Sequence, residues 1–145
     1  MILWRISRPR DLGGTGGLRS PGRWHHAGRP IVYLAESAAG ALLEVCVHTS
    51  ANDVPPDFTL LKIEAPELPV QVIQRDGLPA RWQSQLEFTR DLGTAWLQKK
   101  DTVLLRVPSA IAETVNFLLN SVHPDAKQFR IIEALQHPFD VRLKK

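Results

Sequence analysis

One cysteine, one methionine and one tyrosine occur in the 145 residues. The lone Cys46 excludes an internal disulfide framework and any cysteine-based zinc site, and its Ala/Leu/Val surroundings read as those of a small buried hydrophobe. There is no His-Glu-x-x-His helix, and His25-His26 is too tight a pair for two-histidine zinc ligation, so no metal is expected. Gly13-Gly14-Thr15-Gly16-Gly17 lacks the lysine of a Walker loop and the strand and helix context of the dinucleotide-fold glycine fingerprint. No apolar run reaches membrane-spanning length, and the chain meets Arg5 too early to form the apolar core of a signal peptide. These absences point to a protein that is neither exported nor membrane-bound, in a reducing, cytoplasmic setting.

Acid is scarce in one region. Residues 1–30 hold six arginines (Arg5, Arg8, Arg10, Arg19, Arg23 and Arg29) against the single acid Asp11, while the remainder carries a slight acidic excess. An all-arginine cluster favours planar anions, phosphate above all, although scattered arginines more often form a solvated face. A length of 145 residues with 43% apolar content fits one domain, residues 1–145, able to bury its own core.

Periodicity predicts an α+β fold of mixed or antiparallel sheets with short helices. Ile2–Ile6 reads as a strand and 11–22, with five glycines, as a loop. After a strand over 31–34, a helix starts at Glu36/Ser37 with Ala39, Leu42, Leu43, Cys46 and Val47 as its core-facing stripe and Glu44 and His48 on another face. Strands are expected over 58–64 and 70–74, and helical segments over 83–98 broken at Gly93. The second half reads as β-rich, with strands over 102–107, 115–119 and 129–135 and an edge strand over 139–143. Exposed strands near the C-terminus could pair across a homodimer.

The chemistry concentrates in Gly22-Arg23-Trp24-His25-His26 through Tyr33, followed by Glu44. Arginine clamps phosphate, an aromatic face stacks on a flat heterocycle, and a carboxylate can act on a sugar hydroxyl. These are the means of handling a dinucleotide. Each residue also has a structural use: Trp24 and Tyr33 as core aromatics, Arg23 ion-paired with Glu44, Ser109 as the cap of a helix over 110–114. Two rival chemistries stay open. His25, His26, His48 and His123 with Arg23 could form a metal-independent ribonuclease, and Arg19, Arg23, Trp24 and Arg29 a nucleic-acid-binding module.

Gly22-Arg23-Trp24 with Gly28, Tyr33-Leu34-Ala35, Ala41-Leu42-Leu43-Glu44, Val107-Pro108-Ser109-Ala110, Asn116-Phe117-Leu118-Leu119-Asn120 and His123-Pro124, in that order, resemble the RES-domain family over nearly the whole chain. The family's naming arginine, glutamate and serine would be Arg23, Glu44 and Ser109. The resemblance implies a toxin of an Xre–RES toxin–antitoxin pair with an ADP-ribosyltransferase-like fold. Its implied activity is cleavage of NAD, as substrate and with no cofactor, at the nicotinamide–ribose bond by hydrolysis or phosphorolysis, or transfer of ADP-ribose to a protein. It makes Glu44 the catalytic carboxylate, Arg23 a phosphate or ribose contact and Tyr33 the wall beside nicotinamide. Ser109 would bind the dinucleotide, Arg5 would be a second phosphate contact, and Asn116 and Asn120 would shape the site from behind. Implied partners are an Xre-type helix-turn-helix antitoxin and a second copy of the chain, with no direct nucleic-acid binding. Two positions depart from the family pattern: His25 stands where asparagine often follows Arg-Trp, and Leu18-Arg19-Ser20-Pro21 where small residues are usual.

Overall fold

The structure, a computed structural model, describes residues 1–144. One seven-stranded sheet is built from β1 (Ile2–Ile6), β2 (Val32–Ala35), β3 (Asp57–Glu64), β4 (Val70–Val72), β5 (Leu104–Pro108), β6 (Val115–Leu119) and β7 (Arg130–Pro138). The strands lie in the order β4-β5-β6-β2-β1-β3-β7 and every pairing is antiparallel except β4 with β5. That parallel pair is the one whose connection carries a long helix, α3 (Leu86–Lys99), as parallel strands require. Two further helices, α1 (Thr15–Arg19) and α2 (Ala38–His48), complete the α+β architecture expected from the sequence. Among the described residues no helix is long and apolar enough to cross a membrane.

The central strands β5 and β6 are mostly apolar, apart from the exposed Arg106 and from Asn116, because much of both faces is covered. In β5 and β6, Leu104, Phe117 and Leu119 join one core cluster with Leu3, Val32, Leu34, Leu61 and Ile63. Leu105, Val107 and Leu118 point the other way, into a cluster with Trp24, Trp82, Trp96 and Leu97 under α3. The sheet is not uniformly stitched. β1 pairs with β3 along its whole length, from Ile2 opposite Glu64 to Ile6 opposite Leu60, but meets β2 only at Trp4 opposite Ala35. A split therefore opens between β1 and β2, with α2 packed across it.

Five expectations need correction. The glycine-rich segment 11–22 contains α1 and is not all loop. In α2 the packed face is Gly40 and Ala41, against Ala35 and Leu60, whereas Ala39 and Val47 are exposed and Leu42, Leu43 and Cys46 only half-buried. The smallest side chains let the helix lie closest to the strands, which overrides the apolar stripe. Helix α3 runs unbroken through Gly93. Segment 110–114 forms a turn rather than a helix, Ser109 Oγ accepting from the Ile111 N–H at 3.1 Å. The edge strand is β7 itself. Beyond Pro138, Phe139 is buried against Phe58, and Asp140 bonds the Arg142 N–H and guanidinium, curling 141–144 into a 3₁₀ turn.

Candidate active site

Over the split lies a cavity of about 710 Å³, within the roughly 300–1,000 Å³ of small-molecule sites. Its lining includes Trp4 and Ile6 of β1, Tyr33 and Ala35 of β2, Glu44 and His48 of α2, Asn116 of β6 and the turn carrying Arg23. Among the described residues Glu44 is its only lining carboxylate.

Glu44 is aimed from the sheet. Asn116 Nδ2 donates to its Oε1 at 2.9 Å and Ser109 Oγ donates to the same oxygen at 3.3 Å. The β6 register puts Asn116 opposite Ala35, directly below the helix. Ser109 is buried at the end of β5, and its own backbone N–H is fixed on the Thr114 carbonyl. Both contacts fall on Oε1, so Oε2 keeps its acceptor capacity for whatever occupies the cavity.

Arg23 stands at the tip of a tight turn between Gly22 and His25, which are bridged as a minimal β-pair. Four groups of α3 and one of β2 hold this turn. Thr89 Oγ1 donates to the Arg23 carbonyl at 2.6 Å, Arg90 Nε to the Gly22 carbonyl at 2.7 Å, and Thr94 Oγ1 accepts the His26 N–H at 3.0 Å. At Gly93 any Cβ would run into the Trp24 carbonyl, so the helix approaches the turn as closely as backbone allows. The Tyr33 hydroxyl accepts the Trp24 N–H at 3.1 Å and donates to His25 Nδ1 at 2.8 Å. Gly22 makes room for it, since a Cβ there would overlap the Tyr33 hydroxyl.

His25 is buried, and both ring nitrogens are engaged. Nε2 faces the Gly17 carbonyl at 3.2 Å and so carries the proton, while Nδ1 accepts from Tyr33 and from the Gly22 N–H at 3.1 Å. Burial lowers the His25 pKa, only partly opposed by bonds to the Gly17 and Ser20 backbone. Burial likewise raises the Tyr33 pKa, keeping its hydroxyl a donor.

The structure thus brings Arg23, Tyr33, Glu44, Ser109 and Asn116 together. Arg23 and Glu44 do not ion-pair; Arg23 Nη1 donates to the Gln83 carbonyl at 2.8 Å and the guanidinium lies 6.0 Å from the Trp82 ring centre. Arg5 also borders the cavity, on the strand face of Leu3; burial lowers its pKa, and the charge of Asp11 opposes that. Asn120 is buried farther off, its amide on the Leu97 carbonyl and the Val122 N–H. Trp24 is a core residue stacked at a tilt on Trp82. The four histidines do not assemble: His26 pairs with Asp91 at 2.7 Å on the outer side of α3, and His123 caps the 3₁₀ turn 124–128 through the Asp125 N–H. Arg90 lines the cavity and escaped the sequence reading.

A RES domain model matches residues 2–142. A curated protein of Pseudomonas putida, "Toxin Res", is 50% identical over 134 residues, covering 90% of this chain and 92% of its own length. A "Prs ADP-ribosylating toxin" of Sphingobium is 34% identical over 153 residues, covering 97% and 95%. In three dimensions, a chain in the crystal structure of the M. tuberculosis MbcT–MbcA toxin–antitoxin complex superposes with a TM-score of 0.76 at 19% identity, over 99% of this chain and 86% of that one.

Proposed function

The chain belongs to the RES-domain family of toxins, and from that premise we propose that it breaks the nicotinamide–ribose bond of NAD in the cavity above the β1–β2 split. The observation that carries this reading is the lone carboxylate of an arginine-bearing cavity, Glu44, gripped on one oxygen by Asn116 and Ser109. Breaking the C1′–N1 bond sends its electron pair to the pyridinium nitrogen. Nicotinamide leaves neutral and needs no acid. Positive charge grows on the ribose C1′ and ring oxygen, and a preorganised carboxylate at that point stabilises it. Water then adds its oxygen to C1′ and releases a proton, giving ADP-ribose; phosphate in its place gives the 1″-phosphate. Arg23 holds the diphosphate, and Tyr33 forms the wall beside nicotinamide.

The Sphingobium relative's name favours a second acceptor, a protein side chain, which would take the ADP-ribosyl group after the same bond is broken. On this reading the protein is the toxin of a toxin–antitoxin pair acting in the cytoplasm, and its antitoxin is an Xre-type helix-turn-helix protein, as the resemblance implies.

The test is release of nicotinamide from NAD by pure protein. Glu44→Gln is expected to melt like wild type and to lose at least about a hundredfold in kcat, the usual loss when one preorganised electrostatic group is removed. Undiminished cleavage by Glu44→Gln would refute the mechanism. Nicotinamide released only when a protein acceptor is added, with ADP-ribose found on that acceptor, would make transfer the reaction.

A further inference from the structure

Arg90 is half-buried on α3 and lines the cavity. Its Nε bond to the Gly22 carbonyl fixes the plane of the guanidinium and leaves both Nη groups without a protein partner among the described residues. Arg23 is mounted in the same way, by one Nη on the Gln83 carbonyl. Neither has a carboxylate within salt-bridge distance among the described residues. The two guanidiniums are close enough to feel each other, Arg90 adding to the lowering of the Arg23 pKa that burial begins and Glu44 opposes. Two partly desolvated like charges anchored on neutral carbonyls, with one carboxylate lining the same cavity, are an arrangement that folding alone does not require. Free N–H forks of this kind match the oxygens of a phosphate.

We infer that Arg90 is a second phosphate-binding residue of the cavity, acting with Arg23 on the two halves of a diphosphate, and that this pair makes the site select diphosphate-bearing nucleotides. The inference rests on the NAD reading for the ligand's identity, though the anion site stands on its own geometry.

Titration calorimetry with pyrophosphate and with ADP-ribose, on wild type, Arg90→Lys and Arg90→Gln, tests it. Arg90→Gln is expected to weaken both ligands about ten- to a hundredfold, and Arg90→Lys, which keeps the charge and loses the fork, by less. The near-ultraviolet dichroism of the Trp24–Trp82 pair should not change. Unchanged affinity for both ligands overturns the inference. So does a loss of affinity that comes with an altered tryptophan signal, which would leave Arg90 only the task of holding Gly22. If Arg90→Gln does not fold, Arg90→Lys decides by the same two readouts. Pyrophosphate binding that depends on Arg90 in a protein that leaves NAD intact would sink the NAD reading and keep the anion site; NAD cleavage with a KM indifferent to Arg90→Gln would do the reverse.

Discussion

Alanine in place of a mid-helix glycine ordinarily stabilises a protein by roughly 0.8–1.0 kcal/mol. Gly93→Ala should do the opposite. The new methyl group would meet the carbonyl oxygen and carbon of Trp24, and overpacking a tight contact costs about 1–3 kcal/mol. The upper end applies here because the opposing atoms are backbone, pinned on either side by Thr89 to Arg23 and Thr94 to His26. The net expectation is a loss of about 2 kcal/mol, or about 4–8 °C in melting temperature for a domain of this size. Gly16→Ala is the control, since Gly16 lies exposed in α1 with nothing within 4 Å of a built Cβ. Thermal melts followed by dichroism compare the two. Gly93→Ala should also weaken NAD binding, because the displaced turn carries Arg23. A Gly93→Ala protein that melts at or above wild type, alongside an unaffected Gly16→Ala, would refute the claim that α3 packs on the backbone of the Arg23 turn.

Two other outcomes follow from the same turn. Tyr33→Phe strands the Trp24 N–H and removes a donor from His25, so stability should fall by about 1–3 kcal/mol; KM for NAD should rise more than kcat falls, and kinetics equal to wild type would show that the hydroxyl does not hold the turn. His25 has a native pKa below its ordinary value of 6.5, so the unfolded chain binds a proton that the native chain refuses, and stability drains away as pH falls below about 6.5. Melting temperatures between pH 7.5 and 5.5 should decline accordingly, with His25→Gln flattening the slope. Asp140, held down to about 2 by Arg142, titrates too low to contribute there. A slope that survives His25→Gln would assign the effect elsewhere.

What could be read in advance divides along physical lines. Strands β1 and β6 were legible to the residue, because an apolar run bounded by turn residues has few alternatives. Arg23, Tyr33 and Glu44 stood out by residue type within one stretch of the sequence, whereas Ser109 and Asn116, which bond Glu44, lie far from it and only the ordered family motifs pointed to them; periodicity carries no such information. Gly93 misled because a glycine in a helical pattern signals a break or a close approach with equal force, and the choice depends on what lies opposite. Arg90 was hidden among the charges of Glu87, Arg90 and Asp91, which resemble a solvated helix face. A better clue was available in Thr89, Gly93 and Thr94: small and polar residues recurring on one side of a helix indicate packing against backbone rather than against a greasy core.

The single pairing between β1 and β2 leaves the seven-stranded sheet with a thin seam. Tyr33 and Asn116 lie on its β4-β5-β6-β2 side, and Trp4 and Ile6 on its β1-β3-β7 side; helix α2, with Glu44 on it, packs against both β1 and β2. A molecule filling the cavity would touch both sides of a seam that one residue pair holds, adding contacts where the ladder has few. Glu44 rides on a helix that packs on both sides of this seam, so the carboxylate stands where the backbone ladder is thinnest.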